Sequence, residues 1–524
     1  MSDVRFNKKD LENTPKEVLI TLIMGLQSSV DELTKTVRIL NEQIQVMNQR
    51  SYGRKSEQVS SLQLELDLGF NEIEAVADPN EEEPLLEKAA PKKRPKGKRA
   101  ADIKKITNHR EEYIELSDEE LNEKFGTDKW KRLPYQIITK LEHIPASFEA
   151  VTYKIGVYAS DDNETIIRAD KPLELWQNSI ATPSLVASIM FGKYINAVPL
   201  YRQEKTYAEN NVNISRTTMA NWMIMASDKY LKYYFEGLKK KLLEQKYIHA
   251  DETPLQVNKD GRATGTKSYM WVYTTPVKEG IPKIVLYDYQ KTRSHEHPLN
   301  FLNGFSGTMT TDGFQVYHLL EKLEPESFKV AGCWVHAKRK YSEAVKAAGN
   351  KPLASAAIKK ISNIFRENNR LDELDPEERL KERQERIKPL VDEYFEWIRQ
   401  NQGIIDPGSQ TGKAFTYSLN QEKYLRTFLE DPNLSMDNNT AERAIRPFTL
   451  GRKNWVMIDT LKGADASAVL YSIAETSRAN GLKSYDYFRY LLTELPKYIH
   501  DLETDIPEHL YPWSEDFPKE LFRK

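Results

Sequence analysis

The segment from residue 246 to residue 337 constrains the fold most, because its apolar pattern changes along the chain. Three strand-like stretches come first: KYIHADETPLQV (246–257), SYMWVYTTP (268–276) and KIVLYDYQ (283–290). An alternation then follows, with a helix pattern at 295–304, a strand at 306–313, a helix at 314–323 and a fifth strand at 327–337. Three consecutive strands followed by this alternation predict an α/β fold with a mixed sheet flanked by helices.

The first strand carries acids where its other residues suit a buried position. Ile248 and Leu255 fit a core, yet Asp251 and Glu252 lie between them. An unpaired buried carboxylate is unfavourable, so it requires a hydrogen-bond partner, a cation or a solvent-lined cleft. The stretch therefore predicts either a structural salt bridge or a metal site.

Two further acids could complete a metal site. Asp312 ends the fourth strand, and Glu442 lies in the first turn of a later helix. If the first and fourth strands are neighbours, Asp251 and Asp312 share one cleft at the strand ends, and a crossing helix can add Glu442. Three such carboxylates repel one another unless cations lie among them, and Mg²⁺ prefers these hard oxygen ligands. Glu252 or Asp288 remains an alternative partner for Asp251.

In the N-terminal region the apolar residues recur with a period typical of a helix. Apolar residues spaced alternately by four and three residues run from Leu19 to Met47. This 3.5-residue period predicts a coiled coil, and hence self-association or pairing with another helix. The alternative is an amphipathic helix folded onto its own domain. Acid-rich residues 71–87 and base-rich, proline-containing residues 88–105 then predict a disordered linker, a basic arm along nucleic-acid phosphates, or both.

Residues 183–245 have a helical pattern, and 199–223 within them have the layout of a helix-turn-helix. A polar NNVN turn separates two helix patterns, and Ser215 is placed to cap the second. Such helix pairs are also ordinary packing units. If this one reads DNA, Arg216 and Asn221 are the side chains expected to contact it.

Composition narrows the class of protein. The chain has 524 residues, enough for several domains with cores of their own, and a single cysteine. One cysteine excludes an internal disulfide framework and fits a reducing compartment. Without an 18-residue apolar run or an apolar start, we expect a cytoplasmic protein that does not enter membranes. Cys333 itself is expected to be a small apolar residue within a strand rather than a nucleophile.

Basic residues flank the predicted metal site in two groups: Arg443, Arg446, Arg452 and Lys453 near Glu442, and Lys338, Arg339 and Lys340 after the fifth strand. A solvated helix face is their ordinary explanation, but beside three carboxylates they are expected to contact the DNA backbone. His336 is expected either to face the cleft or to cap the following helix. Asn438 and Asn439 are expected first to cap their helix and second to support the site, and Trp455 to fill the core rather than to stack on a base.

Five stretches carry a resemblance to a known family: YGRKSEQ (52–58), HADETPLQV (249–257), TTDGFQVY (310–317), GCWVHAKRKY (332–341) and NNTAERAIRPFTLGRKNW (438–455). On these stretches the chain resembles the large transposase of the IS66 insertion-sequence family, a DDE enzyme with a ribonuclease-H-like core. The resemblance implies that Asp251, Asp312 and Glu442 are the catalytic triad and that a helical insertion precedes Glu442. With the coiled coil and the helical region, the resemblance covers nearly the whole chain.

The resemblance also implies a chemistry and a set of partners. The triad would bind two Mg²⁺ ions, for which Mn²⁺ can substitute; water would free a 3′-hydroxyl at the transposon end, and this hydroxyl would attack target DNA. The expected partners are transposon ends, target DNA, further copies of the chain and accessory proteins of the same element. Many relatives carry a cysteine-rich zinc domain after the linker. Because residues 106–175 contain His109 and His143 but no cysteine, we expect no zinc here.

The expected architecture is a ribonuclease-H-like mixed-sheet core with a helical insertion, preceded by a coiled coil and a helical DNA-binding region. Its boundaries are 1–58 for the coiled coil, 59–105 for the linker, 106–182 for a small domain, 183–245 for the helical region, 246–340 and 431–490 for the core, 341–430 for the insertion, and 491–524 for the tail. Two rival functions use the same residues: a nuclease that cuts without joining, and a DNA-binding or repressor derivative that has lost activity. A glycosidase also needs paired acids, but the bases around Glu442 disfavour it.

Overall fold

The computed structural model describes residues 15–52, 119, 148–152, 157–159, 166–168, 174–177, 179–263, 265–348, 352–498 and 505–523. The chain divides into two units: residues 1–68, 172–207 and 213–522 form the first, and residues 69–171, 208–212 and 523–524 the second. Within the second unit, strands β1 (Val157–Ala159) and β2 (Ile166–Arg168) pair antiparallel. The predicted linker at 59–105 lies outside the described residues.

The N-terminal repeat forms one continuous helix, α1 (Lys16–Tyr52). The apolar side chains of the 3.5-residue repeat are at least half exposed at Ile23, Leu26, Val30, Leu33, Val37 and Leu40. Elsewhere on this helix, the Lys35 ammonium lies 3.6 Å from the Asp406 carboxylate. The predicted helix is therefore present, and its pairing as a coiled coil remains a prediction.

The helical region contains four α-helices: α2 (Pro183–Met190), α3 (Leu200–Glu209), α4 (Arg216–Ala226) and α5 (Lys232–Leu243). A π-helical turn, Phe191–Ile195, continues α2. Ser215 caps α4 as predicted, since its hydroxyl accepts a hydrogen bond from the Thr218 amide at 3.1 Å. Arg216 and Asn221 are exposed on α4. Their contact with DNA remains a prediction.

A mixed sheet follows, as the sequence predicts. Its strands are β3 (Tyr247–Lys259), β4 (Lys267–Thr274), β5 (Val285–Gln290), β6 (Gly307–Thr311), β7 (Phe328–Gly332) and β8 (Ile458–Thr460). The order is β5-β4-β3-β6-β7; β3, β4 and β5 pair antiparallel, and β6 pairs parallel with both β3 and β7. Helices α6 (Glu296–Phe301) and α7 (Gln315–Leu323) lie between β5 and β7 in the chain. The predicted neighbours, the first and fourth strands, are thus β3 and β6.

Helices cover both faces of the sheet. The register places Asp251, Val272 and Tyr287 on one face and Glu252, Trp271 and Asp288 on the other. On the first face, the Tyr287 ring lies 6.2 Å from that of Phe448 in helix α14 (Asn439–Trp455). On the second face, the Trp271 ring lies 5.9 Å from that of Tyr317 in α7. The adjacent acids of β3 therefore point into different layers.

The predicted helical insertion contains α8 (Trp334–Ala348), α9 (Pro352–Asn369), α10 (Pro376–Glu382), α11 (Lys388–Gln402), α12 (Gln410–Asn420) and α13 (Glu422–Arg426). Prolines stand in the first turns of α9, α10 and α11, where a missing amide hydrogen is tolerated. The apolar core of this region includes Trp334, Tyr394, Phe415 and Phe428. Its first helix begins before the predicted boundary at 340/341.

The predicted fifth strand is wrong in its second half. Strand β7 ends at Gly332, and α8 begins at Trp334. The Trp334 amide donates to the Met436 carbonyl at 2.9 Å, and its indole donates to the Leu425 carbonyl at 2.8 Å, so the chain turns into the insertion here. Cys333 consequently lies between strand and helix, not within a strand.

The chain after α14 returns to the sheet. Strand β8 pairs with the end of β3, and helix α15 (Leu461–Ala479) packs against β5. Helix α16 (Ser484–Glu494) follows. None of the helices in the described ranges is both long and apolar enough to cross a membrane.

Candidate active site

Asp251 and Asp312 occupy equivalent positions on neighbouring parallel strands. The last registered pair between β3 and β6 is His249 with Thr310, and each aspartate lies two residues beyond that pair. Neighbouring strands are about 4.8 Å apart. The two carboxylates therefore lie at one edge of the sheet, beside the carboxyl end of β6, where ligands of such sheets bind.

The edge of β3 beside Asp251 is not covered by another strand. β3 leaves β6 after His249 and pairs with β8 only from Val257, so within the described residues no strand pairs with 250–256 on this side. The Ala250 carbonyl on this edge accepts instead from the Asn438 side-chain amide at 2.8 Å. Pro254, in phase with Ala250, has no amide hydrogen, so the open edge leaves no donor unsatisfied there.

Asn438 holds the start of α14 against the open edge of β3. It is fully buried, and its side-chain oxygen lies 3.1 Å from the His249 Nδ1, in addition to the bond with Ala250. Its side chain makes no capping bond to α14, so the expectation of a simple helix cap is wrong for this residue. The Asn438 carbonyl accepts from the Glu442 amide at 3.1 Å. Asn438 therefore fixes the first turn of α14, and with it Glu442, relative to β3.

Glu442 contacts two side chains of α8. Its Oε2 lies 3.1 Å from the Arg339 Nη2, and its Oε1 lies 3.5 Å from the His336 Nδ1. The Arg339 Nη1 lies 3.2 Å from the His336 Nε2. Because a guanidinium only donates, Nε2 accepts, and the imidazole proton is on Nδ1, which lies near Glu442 but forms no hydrogen bond with it. Burial, followed by the charge of Arg339, lowers the pKa of His336 to about 4, so the ring is neutral near pH 7. Of its two expected positions, His336 takes the one facing the cleft.

The electrostatics of the two aspartates favour a bound cation. Burial, Glu252 and Asp312, in that order, raise the pKa of Asp251 well above its usual range. Burial and then Glu252 raise the pKa of Asp312, while His336 and Arg293 oppose that rise. Carboxyls in such a cluster ionise fully at neutral pH only when a positive charge lies among them. With oxygen donors alone, this cluster fits a hard divalent cation such as Mg²⁺.

Glu252, by contrast, has its partners within the protein. Its carboxylate is almost fully buried and pairs with Arg293, whose Nε lies at 3.0 Å, and it accepts from the Tyr317 hydroxyl at 2.6 Å. Asp288 accepts two hydrogen bonds from the Gln290 amide, at 3.0 and 3.1 Å. Both acids lie on the face opposite Asp251. Neither is therefore placed to share a ligand with Asp251 on its own face.

Cys333 is buried and accepts a hydrogen bond from the Asn438 amide at 3.3 Å. Burial raises the pKa of its thiol to about 12, so it is protonated near neutral pH and poorly suited as a nucleophile. Potential ligand atoms of Cys333, His336 and Glu442 lie within 4.8 Å of one another. A protonated thiol and the adjacent Arg339 guanidinium make this group unfavourable for a cation.

The predicted DNA-contacting bases are distributed around α8 and α14. Arg339 reaches Glu442, and Arg452 donates to the Thr253 hydroxyl at 3.2 Å. Lys340 is exposed and lies 5.5 Å from the centre of the Tyr417 ring. Of the others, Arg443 is exposed, whereas Lys338, Arg446 and Lys453 are partly buried. Arg216 and Asn221 lie on α4, outside α8 and α14.

Two further expectations concern α14. The Asn439 amide donates to the Asp437 carboxylate at 3.0 Å where the helix begins. Trp455 is partly buried, with its ring 6.1 Å from that of Tyr471 and folded back over Gly451. This packing agrees with the expected core role of Trp455.

The hydrogen bonds of the Asn438 side chain to β3 and the partners of Glu252 were not predicted from the sequence. The pair Asn438–Asn439 before a helix pattern resembles ordinary capping, and only the spatial neighbourhood of β3 distinguishes the two asparagines. Arg293 and Tyr317 are 41 and 65 residues from Glu252. No local spacing signals either contact.

Comparisons with known proteins agree with the resemblance. The model of the "Transposase IS66 family" matches residues 178–466, more than half of the chain. A second model, "Transposase C of IS166 homeodomain", matches residues 39–104. Relatives in Sinorhizobium fredii (strain NBRC 101917 / NGR234) include "Uncharacterized protein y4qI", 29% identical over 68% of this chain and 67% of its own length. Another, "Uncharacterized protein y4jD", is 25% identical over 88% of this chain and 91% of its own length.

Proposed function

The chain belongs to the IS66 family of transposases, and from that premise we propose that it is a DDE transposase whose catalytic carboxylates are Asp251, Asp312 and Glu442. One observation carries the proposal. Asp251 and Asp312 each lie two residues beyond the last pair of β3 and β6, and Asn438, bonded to Ala250 of β3, begins the helix that carries Glu442. The core would be ribonuclease-H-like, with residues 341–430 as its helical insertion.

The all-oxygen donor set of the triad would hold divalent cations, Mg²⁺ or Mn²⁺. When bound, two such ions would activate the attacking oxygen and stabilise the leaving oxygen of a phosphodiester. Asp251 lies within β3 and Asp312 directly follows β6, and backbone fixed by a sheet suits metal ligands. His336 lies with its Nδ1 3.5 Å from Glu442 and would orient that carboxylate through a hydrogen bond once the site binds its ligands, while Arg339 balances the charge of Glu442.

DNA would lie along the basic residues around the carboxylates. Because the acids repel a phosphate backbone, nearby cations are needed to hold it. We propose contacts from Lys338, Arg339, Lys340, Arg443, Arg446, Arg452 and Lys453 in the core, and from Arg216 and Asn221 in the helical region. The exposed apolar stripe of α1 would pair with the same helix of a second copy, so that two chains hold two transposon ends.

The experiment uses a labelled duplex carrying the end of the encoding element, together with target DNA and Mg²⁺. Wild type should nick the end and join it to target, whereas Glu442→Gln should bind the end but give neither product. Glu430→Gln is the matched control, because Glu430 is an exposed acid on the insertion side, paired with Lys329. Its activity should equal that of wild type.

The possible results separate the rival functions. Nicking without joining, repeated with the accessory proteins of the element present, would favour a nuclease. Binding without nicking by wild type under the same conditions would favour an inactive DNA-binding derivative. Unchanged activity in Glu442→Gln would show that another residue is the third carboxylate.

A further inference from the structure

Two cations lie near the C-terminal end of α14, and among the described residues neither is paired with a carboxylate. The Lys193 ammonium, on the π-helical turn after α2, lies 5.3 Å from the centre of the Trp455 ring and 5.7 Å from that of Tyr194. The Arg452 guanidinium donates to the Thr253 hydroxyl at 3.2 Å. Within the described residues, neither cation forms an ion pair with an acid.

This arrangement is unusual because both side chains are partly buried. Burial lowers the pKa of Lys193 to about 8 and also lowers the pKa of Arg452. A desolvated cation is unfavourable without a compensating group. Elsewhere, buried Arg383 donates to four oxygens, including the carbonyls of Phe428 and Leu434. Lys193 and Arg452 have weaker compensation, and an anion from outside the chain would complete it.

Each cation has a partner on an element that also carries one of the carboxylates. Thr253, the partner of Arg452, is two residues from Asp251 on the same face of β3, about 7 Å along the strand. Trp455, the partner of Lys193, is about 20 Å along α14 from Glu442. Since one strand of DNA presents a phosphate about every 3.4 Å along its axis, these distances correspond to about two and six nucleotides.

The position of Lys193 is held by α14 itself. The Asn454 side-chain amide donates to the Ala197 carbonyl at 2.8 Å, which joins the segment after the π-helical turn to the end of α14. The Trp455 ring, folded over Gly451, forms the surface over which the Lys193 ammonium lies. The ammonium is thus fixed relative to the same helix that carries Glu442 and Arg452.

We propose that Lys193 and Arg452 form a binding site for phosphates of the DNA strand that runs from the carboxylates along α14. The inference rests on the proposed function, and it adds Lys193 and a path for the strand. Lys193 would act as a point charge, whereas the planar guanidinium of Arg452 can contact two oxygens of one phosphate.

The test measures how DNA affinity depends on salt, without catalysis. The full chain is titrated against a fluorescein-labelled duplex carrying the element's end, in EDTA, over a series of NaCl concentrations, with fluorescence anisotropy as readout. Each phosphate contact contributes about −0.9 to the slope of log K against log salt. Lys193→Met and Arg452→Met should each reduce the slope by about 0.9, and the double variant by about 1.8. Lys193→Arg should retain the wild-type slope.

Lys423→Met is the matched control, because the Lys423 ammonium is already paired with Glu321. Its slope should equal that of wild type, and circular dichroism should show the same fold for every variant; Lys193→Gln replaces Lys193→Met if the latter misfolds. Unchanged slopes in the Lys193 and Arg452 variants, or an equal reduction in Lys423→Met, would overturn the phosphate site alone. Absence of salt-dependent DNA binding by wild type would instead overturn the proposed function.

Discussion

Two adjacent acids of β3, Asp251 and Glu252, face opposite sides of the sheet and have opposite surroundings. Glu252 is paired with Arg293 and accepts a hydrogen bond from Tyr317. Asp251 accepts the Glu252 amide and, within the described residues, has no basic partner. The sequence KYIHADETPLQV allows a salt bridge or a metal site. Glu252 forms the salt bridge, and Asp251 is the acid proposed to bind a metal.

This difference separates a structural acid from a proposed functional one. A buried carboxylate that is paired with a basic side chain of the same protein has its charge compensated in the folded state. Removing either partner leaves the other charge buried and unpaired. A partly buried carboxylate without a cation, next to Asp312 in register, lacks that compensation until a ligand supplies it. Substitution should therefore affect chemistry on one face and stability on the other.

The largest expected effect is that of Asp251→Asn on DNA cleavage. We expect nicking of the labelled end in Mg²⁺ to fall about a thousand-fold, equivalent to about 4 kcal/mol of activation barrier. The thermal midpoint measured without Mg²⁺ should stay the same or rise, because asparagine removes a carboxyl that burial disfavours in its charged form. Normal cleavage by Asp251→Asn would contradict a functional role for Asp251 that Glu252 lacks.

Asn438→Ala is expected to have the next largest effect. It removes the bonds to Ala250 and His249 that hold α14 on β3, so Glu442 should lose its fixed position. We expect cleavage to fall about a hundred-fold, or about 2.7 kcal/mol of barrier, and the protein to lose about 1–3 kcal/mol of stability.

The matched control for that substitution is Asn480→Ala. Asn480 donates to the Lys283 and Thr476 carbonyls at 2.7 and 2.8 Å, away from the carboxylates. It should lose comparable stability in denaturant unfolding while retaining cleavage. Equal losses of cleavage in both variants would mean that the Asn438 bonds to β3 affect only folding.

Glu252→Gln should reduce stability more than it reduces cleavage. It leaves Arg293 without its carboxylate, so we expect a loss of about 2 kcal/mol in the free energy of unfolding, reduced from the fully buried case because Arg293 is partly exposed. Cleavage measured below the unfolding transition should fall less than ten-fold. Arg293→Met should destabilise similarly, and the double variant less than the sum of the two. Additive losses would contradict a direct pair.

Asp288→Asn should have the smallest effect on cleavage, and its effect on stability should depend on pH. Burial raises the pKa of Asp288 to about 7, whereas its ordinary value is 3.8. The folded protein therefore binds more protons between these values, and the contribution of Asp288 to stability falls as pH rises through this range. The difference in unfolding free energy, variant minus wild type, should increase by about 4 kcal/mol from pH 4 to pH 8. A difference that is constant with pH, measured by urea unfolding, would contradict the raised pKa.

Part of this arrangement was predictable from local sequence. Strand spacing predicts the mixed sheet and the proximity of β3 and β6, and the two-residue strand period places Asp251 and Glu252 on opposite faces. The helix that covers each acid, α7 or α14, is distant from β3 in the chain. The end of β7 at Gly332 was not predictable from its apolar run, because contacts of Trp334 with residues 425 and 436 decide it.

The same limit applies to Asn438 and Lys193. A helix-start asparagine is normally a cap, and a lone lysine in an apolar helix normally keeps its ammonium in water. Their contacts with Ala250 and Trp455 join segments about 190 and 260 residues apart in the chain. Such contacts follow from tertiary packing and leave no signal in local spacing.

The most direct test of the central claim is to map the cation site by iron-mediated backbone cleavage. Fe²⁺ replaces Mg²⁺ in the full chain, ascorbate and peroxide generate hydroxyl radicals at the bound ion, and mass spectrometry locates the cuts. We predict cuts near residues 251, 312 and 442 that excess Mg²⁺ suppresses and that Asp251→Asn weakens, whereas Glu252→Gln leaves them in place. Cuts elsewhere, or cuts at these positions that Mg²⁺ does not suppress, would contradict a shared metal site of the three carboxylates.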